Sequence, residues 1–345
     1  MSLEQRINRA WRTNAGWLYL LLPLSWLYGL VSRVHRLIYE LGIKKPYKPP
    51  IPVIVIGNIT VGGSGKTPLV LALIDWLESL GLKVAVISRG YRGSGQGADE
   101  PTLITAKSDP KTCGDEPVLI AKSGAAVCTS PSRKAAIKRL IEAHQPDLIL
   151  SDDGLQHHAL AAQARWVIVD TARGFGRGWL LPAGFLREPT SRLSGFDLII
   201  NRGTSETSDL RVLPSHFYLI DQPDHKLSAD QLIERFGEQV LALAGIAQPE
   251  RFFDDLSRLG FRVSPRARDD HHAYEPRDLV TDLPLIITTE KDAVKIQSDW
   301  PKPTPIAVFK IEAKLSGDLQ VRMRSELVRL GLLAKSDMLS NDHQN

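Results

Sequence analysis

The sequence is poor in cysteine, with only Cys113 and Cys128 among its 345 residues. Two cysteines provide neither a disulfide framework nor the spacing of a structural zinc site. The chain also lacks an internal repeat and a large excess of one charge, since 43 Lys and Arg face 39 Asp and Glu. With 43% hydrophobic and 24% charged residues, the composition predicts a globular protein suited to a reducing compartment.

The small positive charge belongs to the N-terminus. Residues 1–50 contain eight Lys and Arg but only two Glu, whereas the rest of the chain carries a net charge of −2. A nucleic-acid surface requires basic residues grouped on the folded body, and the sequence shows no such group there. The charge distribution therefore argues against a nucleic-acid partner.

Long hydrophobic runs are also missing. The apolar run near the N-terminus is WLYLLLPLSWLYGLV at residues 17–31, which is fifteen residues without a charge. As a helix it would rise about 22 Å, which is less than the roughly 30 Å hydrocarbon core of a bilayer. Pro23 and Gly29 weaken it further, and no small-residue cleavage site follows it, so neither a simple membrane span nor a signal peptide is predicted.

The apolar pattern nevertheless continues beyond that run at helical spacing. Arg33 and Arg36 lie off the apolar stripe, and the Trp and Tyr residues of the run favour the depth of lipid headgroups. This pattern predicts an in-plane or shallowly inserted anchor on an anionic membrane surface. The alternative is a buried helical hairpin that packs on the first domain. The stripe consists of Leu20, Leu24, Leu27, Val31, Val34 and Ile38.

A glycine-rich segment stands between a predicted strand at 51–57 and a predicted helix at 66–80. In this context glycines let successive backbone N–H groups surround a phosphate, and the helix N-terminus adds a partial positive charge. The segment therefore predicts binding of a nucleoside triphosphate. Its eight candidate nucleotide-binding residues are Thr60, Val61, Gly62, Gly63, Ser64, Gly65, Lys66 and Thr67.

Two side chains of this P-loop have specific predicted roles. Lys66 would reach the terminal phosphates, and the Thr67 hydroxyl would bind Mg²⁺. Thr60 stands where the motif G-x-x-x-x-G-K-[ST] begins with glycine. The alternative is a glycine-rich turn in which the Lys-Thr pair is incidental, but the strand and helix on either side favour the P-loop.

Strand and helix patterns alternate along the chain. They predict an α/β fold of the P-loop NTPase type, with a mostly parallel sheet between helices and a second, smaller α/β domain. Besides 51–57 and 66–80, strands are predicted at 83–88, 125–129, 147–151, 166–169, 197–200, 239–245, 261–264, 284–288 and 305–311, and helices at 131–144, 249–259 and 289–297.

Three parts of the chain follow from this pattern. Residues 1–50 form the N-terminal membrane-anchoring helical segment and linker, 51–205 the P-loop domain, and 206–345 the second domain, with the boundary in the polar stretch 202–209. The glycine-rich stretch 90–100 predicts a mobile loop over the site, and the tail after Ala334 is predicted to fray.

Two carboxylates follow the apolar residues 148–150. In P-loop proteins the strand beside the P-loop strand ends in an Asp that helps to hold Mg²⁺. Asp152 and Asp153 occupy that place. They predict the metal side of the nucleotide site.

A second pair of carboxylates, Asp115 and Glu116, stands in a predicted short turn. A carboxylate held by a histidine can take the proton of an attacking hydroxyl. His271 in the segment Asp-His-His is a candidate partner from the second domain. The alternative is a role for the two carboxylates in capping and turn formation, and the residues alone do not decide between them.

Together these motifs identify a family. The quoted segments are GNITVGGSGKTP at 57–68, SRGY at 88–91, GDEP at 114–117, PSR at 131–133, DDGLQH at 152–157, LLPAGFLREP at 180–189, AGIAQPERFF at 244–253, DHH at 270–272 and TEKDAV at 289–294. The chain resembles the tetraacyldisaccharide 4′-kinases, the lipid A 4′-kinases of Gram-negative bacteria. The Thr at position 60 is similar to that family's own form of the loop.

The resemblance implies transfer of the γ-phosphate of ATP to the 4′-hydroxyl of a membrane-borne acylated glucosamine disaccharide 1-phosphate. It implies ATP and Mg²⁺ as cofactors and a location at the cytoplasmic face of the bacterial inner membrane. By motif, Asp115 resembles the base, paired with His271, and Lys66 is the third catalytic residue. Thr67, Glu116 and Asp152 resemble the metal side. The acceptor and phosphate region would be lined by Arg89, Tyr91, Arg133, Asp153, His157, Arg187 and Glu188.

Two positions depart from the family pattern, namely Arg92 after SRGY and the stretch 161–164 after DDGLQH. Simpler roles also stay open: Arg187 and Glu188 could form a surface ion pair, and Arg133 could be a solvated first-turn residue of a helix.

Three other functions compete with the kinase. A regulatory GTPase or a metallochaperone NTPase would need a guanine-reading [NT]-K-x-D, whereas the lysine and aspartate of TEKD are adjacent. A soluble small-molecule kinase leaves the aromatic N-terminal segment without a role, and a nonenzymatic membrane adaptor leaves Lys66 and Asp115 unexplained.

Overall fold

The computed structural model describes residues 3–90 and 100–334. A sheet of 13 strands runs through this part of the chain. The strands are β1 Val53–Gly57, β2 Val84–Ser88, β3 Thr102–Ile104, β4 Ala126–Thr129, β5 Leu148–Asp152, β6 Ala164–Asp170, β7 Leu198–Arg202, β8 Leu210–Leu219, β9 Gln222–Leu227, β10 Gln239–Ala244, β11 Arg262–Ala267, β12 Ile286–Thr289 and β13 Ile306–Leu315.

The order across the sheet is β11-β10-β12-β13-β8-β7-β6-β1-β5-β2-β4-β3, and β9 pairs with β8. Most neighbours are parallel; β3 with β4, β8 with β13 and β8 with β9 are antiparallel. β1 lies between β5 and β6, and Ile56 is opposite Asp152. The P-loop that follows β1 therefore lies beside the carboxylates that follow β5.

Helices cover both faces of the sheet. Strand β1 alternates between the faces: Ile54 and Ile56 pack with the apolar side of α3, while Val53 and Val55 pack with α6. This arrangement confirms the predicted P-loop NTPase-like class. The helices are α1 Leu3–Thr13, α2 Leu22–Glu40, α3 Lys66–Ser79, α4 Pro110–Cys113, α5 Asp115–Ala121, α6 Arg133–His144, α7 Ala229–Phe236, α8 Pro249–Arg258, α9 Glu290–Ala293 and α10 Gly317–Arg329, with 3₁₀ turns at Gly16–Leu21, Thr190–Gly195 and Pro276–Leu279.

The predicted boundary at 205 falls between β7 and β8. These strands make a single parallel pairing, Arg202 with Leu210, and the sheet continues across the boundary. Separate apolar clusters form on the two sides of β10 and β12. The division into domains at 51–205 and 206–345 stays a prediction.

Several predicted elements differ from the structure. The helix expected at 289–297 is only α9, because Lys295 N–H and Ile296 N–H donate to carbonyls three residues earlier and form tight turns. The turn expected around Asp115 is the start of α5, whose first turn contains Asp115 and Glu116. Strands β3, β8 and β9 and helices α4, α7 and α10 are additional. The predicted loop at 91–99 and the tail from 335 onward lie outside the described residues.

The N-terminal helices α1 and α2 lie on the outside of the P-loop part. Within the described chain, the stretch 16–40 is the one helical segment long and apolar enough to cross a membrane, judged by length and composition alone. Leu20 is 81% exposed, Trp26 72% and Leu30 60%, so a buried hairpin does not describe this segment.

The other side of these helices contacts the segment 180–189. The buried Ser25 hydroxyl donates to Leu180 O at 2.8 Å and accepts from Ala183 N–H at 2.9 Å. Tyr28 OH donates to Arg187 O at 3.1 Å, and the Trp11 indole N–H donates to Pro182 O at 3.1 Å. The N-terminal helices are therefore attached to the segment that carries Arg187 and Glu188 to the site.

Candidate active site

The P-loop has the backbone shape that a phosphate cradle requires. Gly62 and Gly65 have φ angles of 90° and 85°, which favour glycine. A Cβ on Gly65 would also approach Arg202 Cδ to 2.9 Å, so a side chain there would require Arg202 to move. Helix α3 begins at Lys66, and its free N–H groups point toward the loop.

Lys66 is held by two oxygen atoms. Its Nζ donates to Asn58 Oδ1 at 3.0 Å and lies 3.1 Å from Asp153 Oδ1. The Asn58 amide in turn donates to Thr60 Oγ1 at 2.9 Å, and Asn58 is fully buried. The hydroxyl of Thr60 thus orients Asn58 toward Lys66, which gives a physical reason for threonine at the first position of this loop.

The two carboxylates after β5 differ in their surroundings. Asp152 is 3% exposed, and burial together with the charge of Glu116 raises its pKa above the usual range; its Oδ1 has no hydrogen-bond partner within the described chain. Burial also acts to raise the pKa of Asp153, but Lys66 and Arg187 outweigh it, so this pKa is lowered. Asp153 has a positive φ of 48°, a strained backbone that is common at functional sites.

Asp115 and His271 meet across 156 residues. His271 Nδ1 lies 2.9 Å and 3.1 Å from the two Asp115 carboxylate oxygens. Burial acts to raise the pKa of Asp115, but the His271 hydrogen bond and the charges of Lys291 and Lys295 lower it to about 2. The same hydrogen bond raises the pKa of His271, whose φ of 60° is again in the left-handed region.

Glu116 faces a lysine. Its Oε1 accepts from Lys291 Nζ at 2.9 Å, and Lys291 also donates to Asp270 Oδ1 at 3.2 Å. Residues 114–117 do form a helix start, as the simpler alternative required, but Asp115 and Glu116 also make these long-range contacts. Lys291 contacts Oε1 of Glu116, so Oε2 is the oxygen of this carboxylate that can bind another partner.

The remaining predicted residues lie near the end of β5. Arg133 is buried and donates from Nη2 to Asp152 O at 3.1 Å, so it is not a solvated first-turn residue. Burial and the charge of Arg133 lower the pKa of His157 to about 4, and Arg89 contributes in the same direction. Tyr91 lies outside the described residues.

Arg187 and Glu188 do not pair with each other as the simple alternative supposed. Arg187 Nη1 donates to both oxygens of Asp153 at 2.9 Å. Glu188 is 6% exposed; it accepts from the side chains of Gln156 at 2.9 Å and Arg192 at 3.3 Å. Arg187 and Lys66 thus both contact Asp153, while Glu188 is buried and contacts neither of them.

One cleft of about 1910 Å³ connects these groups. Lys66, Thr67, Glu116, Asp153 and Arg187 line it from the P-loop side, and His271 lines it from the second half of the chain. Such a cleft, with a phosphate cradle and the Asp115–His271 pair at its wall, can hold a nucleotide and a second substrate together.

Sequence reasoning assigned no role to several residues that line this cleft or lie behind its lining. Asn58 and Lys291 belong to the quoted segments GNITVGGSGKTP and TEKDAV, so the motifs contained the signal. Among three arginines close to the P-loop, Arg251 belongs to the quoted segment AGIAQPERFF, whereas Arg173 and Arg202 gave no such signal. Arg173 donates to Val61 O at 2.6 Å, while Arg202 and Arg251 both pair with the buried Asp170, at 3.4 Å and 2.9 Å.

Fold and site define a P-loop protein of the phosphoryl-transfer class. The model of the family Tetraacyldisaccharide-1-P 4′-kinase matches residues 17–328 of the chain. The chain belongs to this family. A regulatory or metallochaperone NTPase is therefore not favoured.

Named relatives agree with the family match. The chain is 46% identical over 321 residues to the tetraacyldisaccharide 4′-kinase of Psychrobacter cryohalolentis, covering 86% of this chain and 85% of the relative. It is 44% identical over 296 residues to that of Alcanivorax borkumensis, covering 85% and 89%. The crystal structure of LpxK from Aquifex aeolicus in complex with ATP is similar, with a TM-score of 0.73, 26% identity and coverage of 91% and 99%.

Proposed function

We propose that this chain transfers the γ-phosphate of ATP to the 4′-hydroxyl of a tetraacylated glucosamine disaccharide 1-phosphate in lipid A biosynthesis. Its family and its relatives carry the name of this activity. The observation that carries the proposal is one cleft in which the P-loop lysine and the histidine of the Asp115–His271 pair face the same space.

The residues divide the reaction between them. The backbone of 60–67 and the N-terminus of α3 bind the phosphates, and Lys66 exchanges its contact with Asp153 for the terminal phosphate oxygens. The acceptor hydroxyl loses its proton to the Asp115–His271 pair as its oxygen bonds to the γ-phosphorus, while the bond from that phosphorus to the bridging oxygen breaks and ADP leaves. Because these two groups are hydrogen-bonded, the proton is accepted by the pair and not by one residue alone.

Magnesium is the cofactor that the P-loop chemistry implies. The described residues contain no cluster of three His, Cys, Asp or Glu arranged for a metal. A P-loop magnesium needs fewer protein ligands, because nucleotide phosphates and water complete its shell. The unpartnered, buried Asp152 Oδ1 fits such an ion, with the Thr67 hydroxyl and Glu116 as the other proposed contacts. When bound, the ion would neutralise charge on the phosphates.

Two groups of residues are proposed to face the acceptor lipid. Arg187, beside Asp153, would contact phosphate oxygens. Arg89 and Arg133, together with the uncharged His157, would form a more distant region for the acceptor. The exposed apolar side of α2 would rest in the membrane surface that holds the lipid. In this proposal the protein is bound to the cytoplasmic face of the inner membrane.

Turnover with lipid tests the activity. Purified protein, ATP, Mg²⁺ and acylated disaccharide 1-phosphate in mixed micelles should give a product with a new phosphate at the 4′ position, identified by ³¹P NMR and mass spectrometry. ATP hydrolysis with no phosphorylated lipid, or a strong preference for GTP, would contradict the proposal.

Vesicle binding tests the membrane contact separately. Replacing Leu20, Trp26 and Leu30 by Ser should reduce co-sedimentation with anionic vesicles, because apolar burial is lost. High salt should reduce wild-type binding only in part. Val280→Ser and Val321→Ser are matched controls, since these valines are 62% and 61% exposed elsewhere on the protein. Equal binding of the triple variant and the controls would show that another surface meets the membrane.

A further inference from the structure

Lys291 lies between two chain segments that both reach the active site. It stands in the short helix α9, and Thr289 caps this helix by accepting from Asp292 N–H at 3.2 Å. The Lys291 side chain is 16% exposed, and its Nζ lies 2.9 Å from Glu116 Oε1 and 3.2 Å from Asp270 Oδ1. One ammonium group therefore joins α5 to the loop after β11.

The two partners of Lys291 are the chain neighbours of the Asp115–His271 pair. Glu116 directly follows Asp115, and Asp270 directly precedes His271. Asp270 Oδ1 accepts from Lys291 and also from the backbone N–H of His271 at 3.1 Å. The lysine thus fixes a carboxylate that in turn supports the left-handed backbone of His271.

A second lysine acts on the other member of the pair. Lys295 is 8% exposed; its Nζ lies 3.5 Å from Asp115 Oδ2 and 2.7 Å from Asp292 Oδ1. Asp292 is fully buried and accepts from Gly245 N–H at 3.0 Å, which ties Lys295 to the end of β10. Residues from the second half of the chain therefore determine the position and the charge of Asp115.

Charge balance explains why a cation is needed between these segments. Asp115, Glu116 and Asp270 bring three carboxylates into one partly buried region, and like charges in such a region repel each other strongly. Burial opposes the charge on Lys291, but the three neighbouring carboxylates outweigh it and raise the pKa of the lysine above its usual range. Loss of this cation would leave Glu116 and Asp270 without their shared partner, and the repulsion between the carboxylates would then act against the Asp115–His271 contact.

We propose that Lys291 is a positioning residue of the kinase reaction, which holds Glu116 and Asp270 so that Asp115 and His271 are in contact over the bound nucleotide. The inference rests on the proposed function, because the contact matters for catalysis only if the pair accepts the proton of the acceptor. Lys291 acts through its neighbours and does not itself touch the reacting atoms.

Kinetics of Lys291 variants test the proposal, with Lys302→Met as a matched control. Lys302 is 13% exposed and pairs with Asp221 at 3.3 Å, and neither residue lines the cleft. Lys291→Met should lower kcat about 100-fold, as loss of an aligned base does, and change the KM for ATP less than about 3-fold. Lys291→Arg keeps the charge and should recover most of this loss, whereas Lys302→Met should keep the wild-type kcat.

A spectroscopic measurement separates this inference from the proposed function. The proton between His271 Nδ1 and Asp115 should give a downfield ¹H NMR signal that disappears in His271→Gln and in Lys291→Met but stays in Lys302→Met. This signal does not depend on any substrate. A retained signal and an unchanged kcat in Lys291→Met would overturn the inference. Inactivity of the wild-type protein would instead count against the kinase proposal.

A second variant keeps the proposal testable if Lys291→Met does not fold. Asp270→Asn removes a charge that Lys291 holds but keeps the oxygen that accepts from His271 N–H. A smaller loss of kcat and a weakened downfield signal are expected, with the melting temperature near that of the wild type. Wild-type values of both would overturn the proposal even if Lys291→Met did not fold.

Discussion

A double-mutant cycle on Asp115 and His271 tests the central step of the reaction. Asp115 is 4% exposed, and its two oxygens lie 2.9 Å and 3.1 Å from His271 Nδ1. In the proposed function this pair is the general base, and a general base contributes roughly 10²- to 10⁴-fold to the rate. Asp115→Asn and His271→Ala should therefore each lower kcat/KM by about that factor, with little change in ATP affinity.

The loss of kcat/KM in the double variant shows whether Asp115 and His271 act as one unit or independently. If the two residues act as one unit, the double variant should lose about as much as either single variant. Independent residues would multiply their losses, to roughly 10⁴- to 10⁸-fold. The expected coupling free energy is about 3–5 kcal/mol, since each tenfold change corresponds to about 1.4 kcal/mol.

The assay is lipid phosphorylation in mixed micelles, together with ATP binding measured by calorimetry. His272→Ala is the matched control, because His272 pairs with Asp278 at 3.4 Å next to His271 in the chain. That variant should keep most of the activity. Multiplicative losses in the double variant would refute the assignment of Asp115 and His271 as one unit.

Three further predictions concern the phosphate site, the N-terminal helices and pH. Lys66→Met should lower kcat by several orders of magnitude while the protein still folds, because the side chain is not part of the core; near-normal turnover would exclude the P-loop role. A small fall in melting temperature is expected, because the buried Asn58 Oδ1 and Asp153 each lose a partner. Ser25→Ala should lower the free energy of unfolding by about 1–3 kcal/mol, measured in denaturant, because it leaves the buried Ala183 N–H without its acceptor, while Leu180 O keeps only its bond from Gly184 N–H; an unchanged value would show that the contact contributes nothing. The pKa of His157 falls from 6.5 to about 4 on folding, so stability should be lost progressively as pH drops below 6.5 toward 4, and His157→Gln should reduce this dependence; a pH profile identical to the wild type would contradict it.

The phosphate-binding half of the site could be predicted because its information is local. A β-branched run, three closely spaced glycines and an apolar-periodic stretch specify strand, loop and helix start within thirty residues, and α3 begins at the predicted Lys66. The position of Asp152 follows from topology, since carboxyl ends of adjacent parallel strands meet at one edge.

Other elements could not be predicted because long-range pairing determines them. Strand β8 contains Pro214 and is bent where its register with β13 shifts, at Lys310 and Ile311. Neither a clean alternation nor a turn signal marks it. Helix α5 is only seven residues long, and its residues PVLI read equally well as a short strand.

The contacts of long charged side chains were the least predictable. Lys291 reaches Glu116 over 175 positions, and Arg187 reaches Asp153 over 34. No periodicity reports such a pairing, because it depends on which loops the sheet brings together. The family motifs did contain these residues, but a motif states that a residue is present and not what it touches.

The N-terminal helices are connected to the phosphate site through consecutive contacts. Tyr28 OH holds Arg187 O at 3.1 Å, Arg187 holds Asp153 at 2.9 Å, and Asp153 lies 3.1 Å from Lys66. A shift of α2 against the segment 180–189 would therefore move the groups that set the charge around the P-loop lysine. The helix side that faces away from these contacts exposes Leu20 and Trp26 to the surroundings. If this exposed side rests in the membrane, the same helix that binds the lipid surface also fixes the distance between that surface and the phosphate to be transferred.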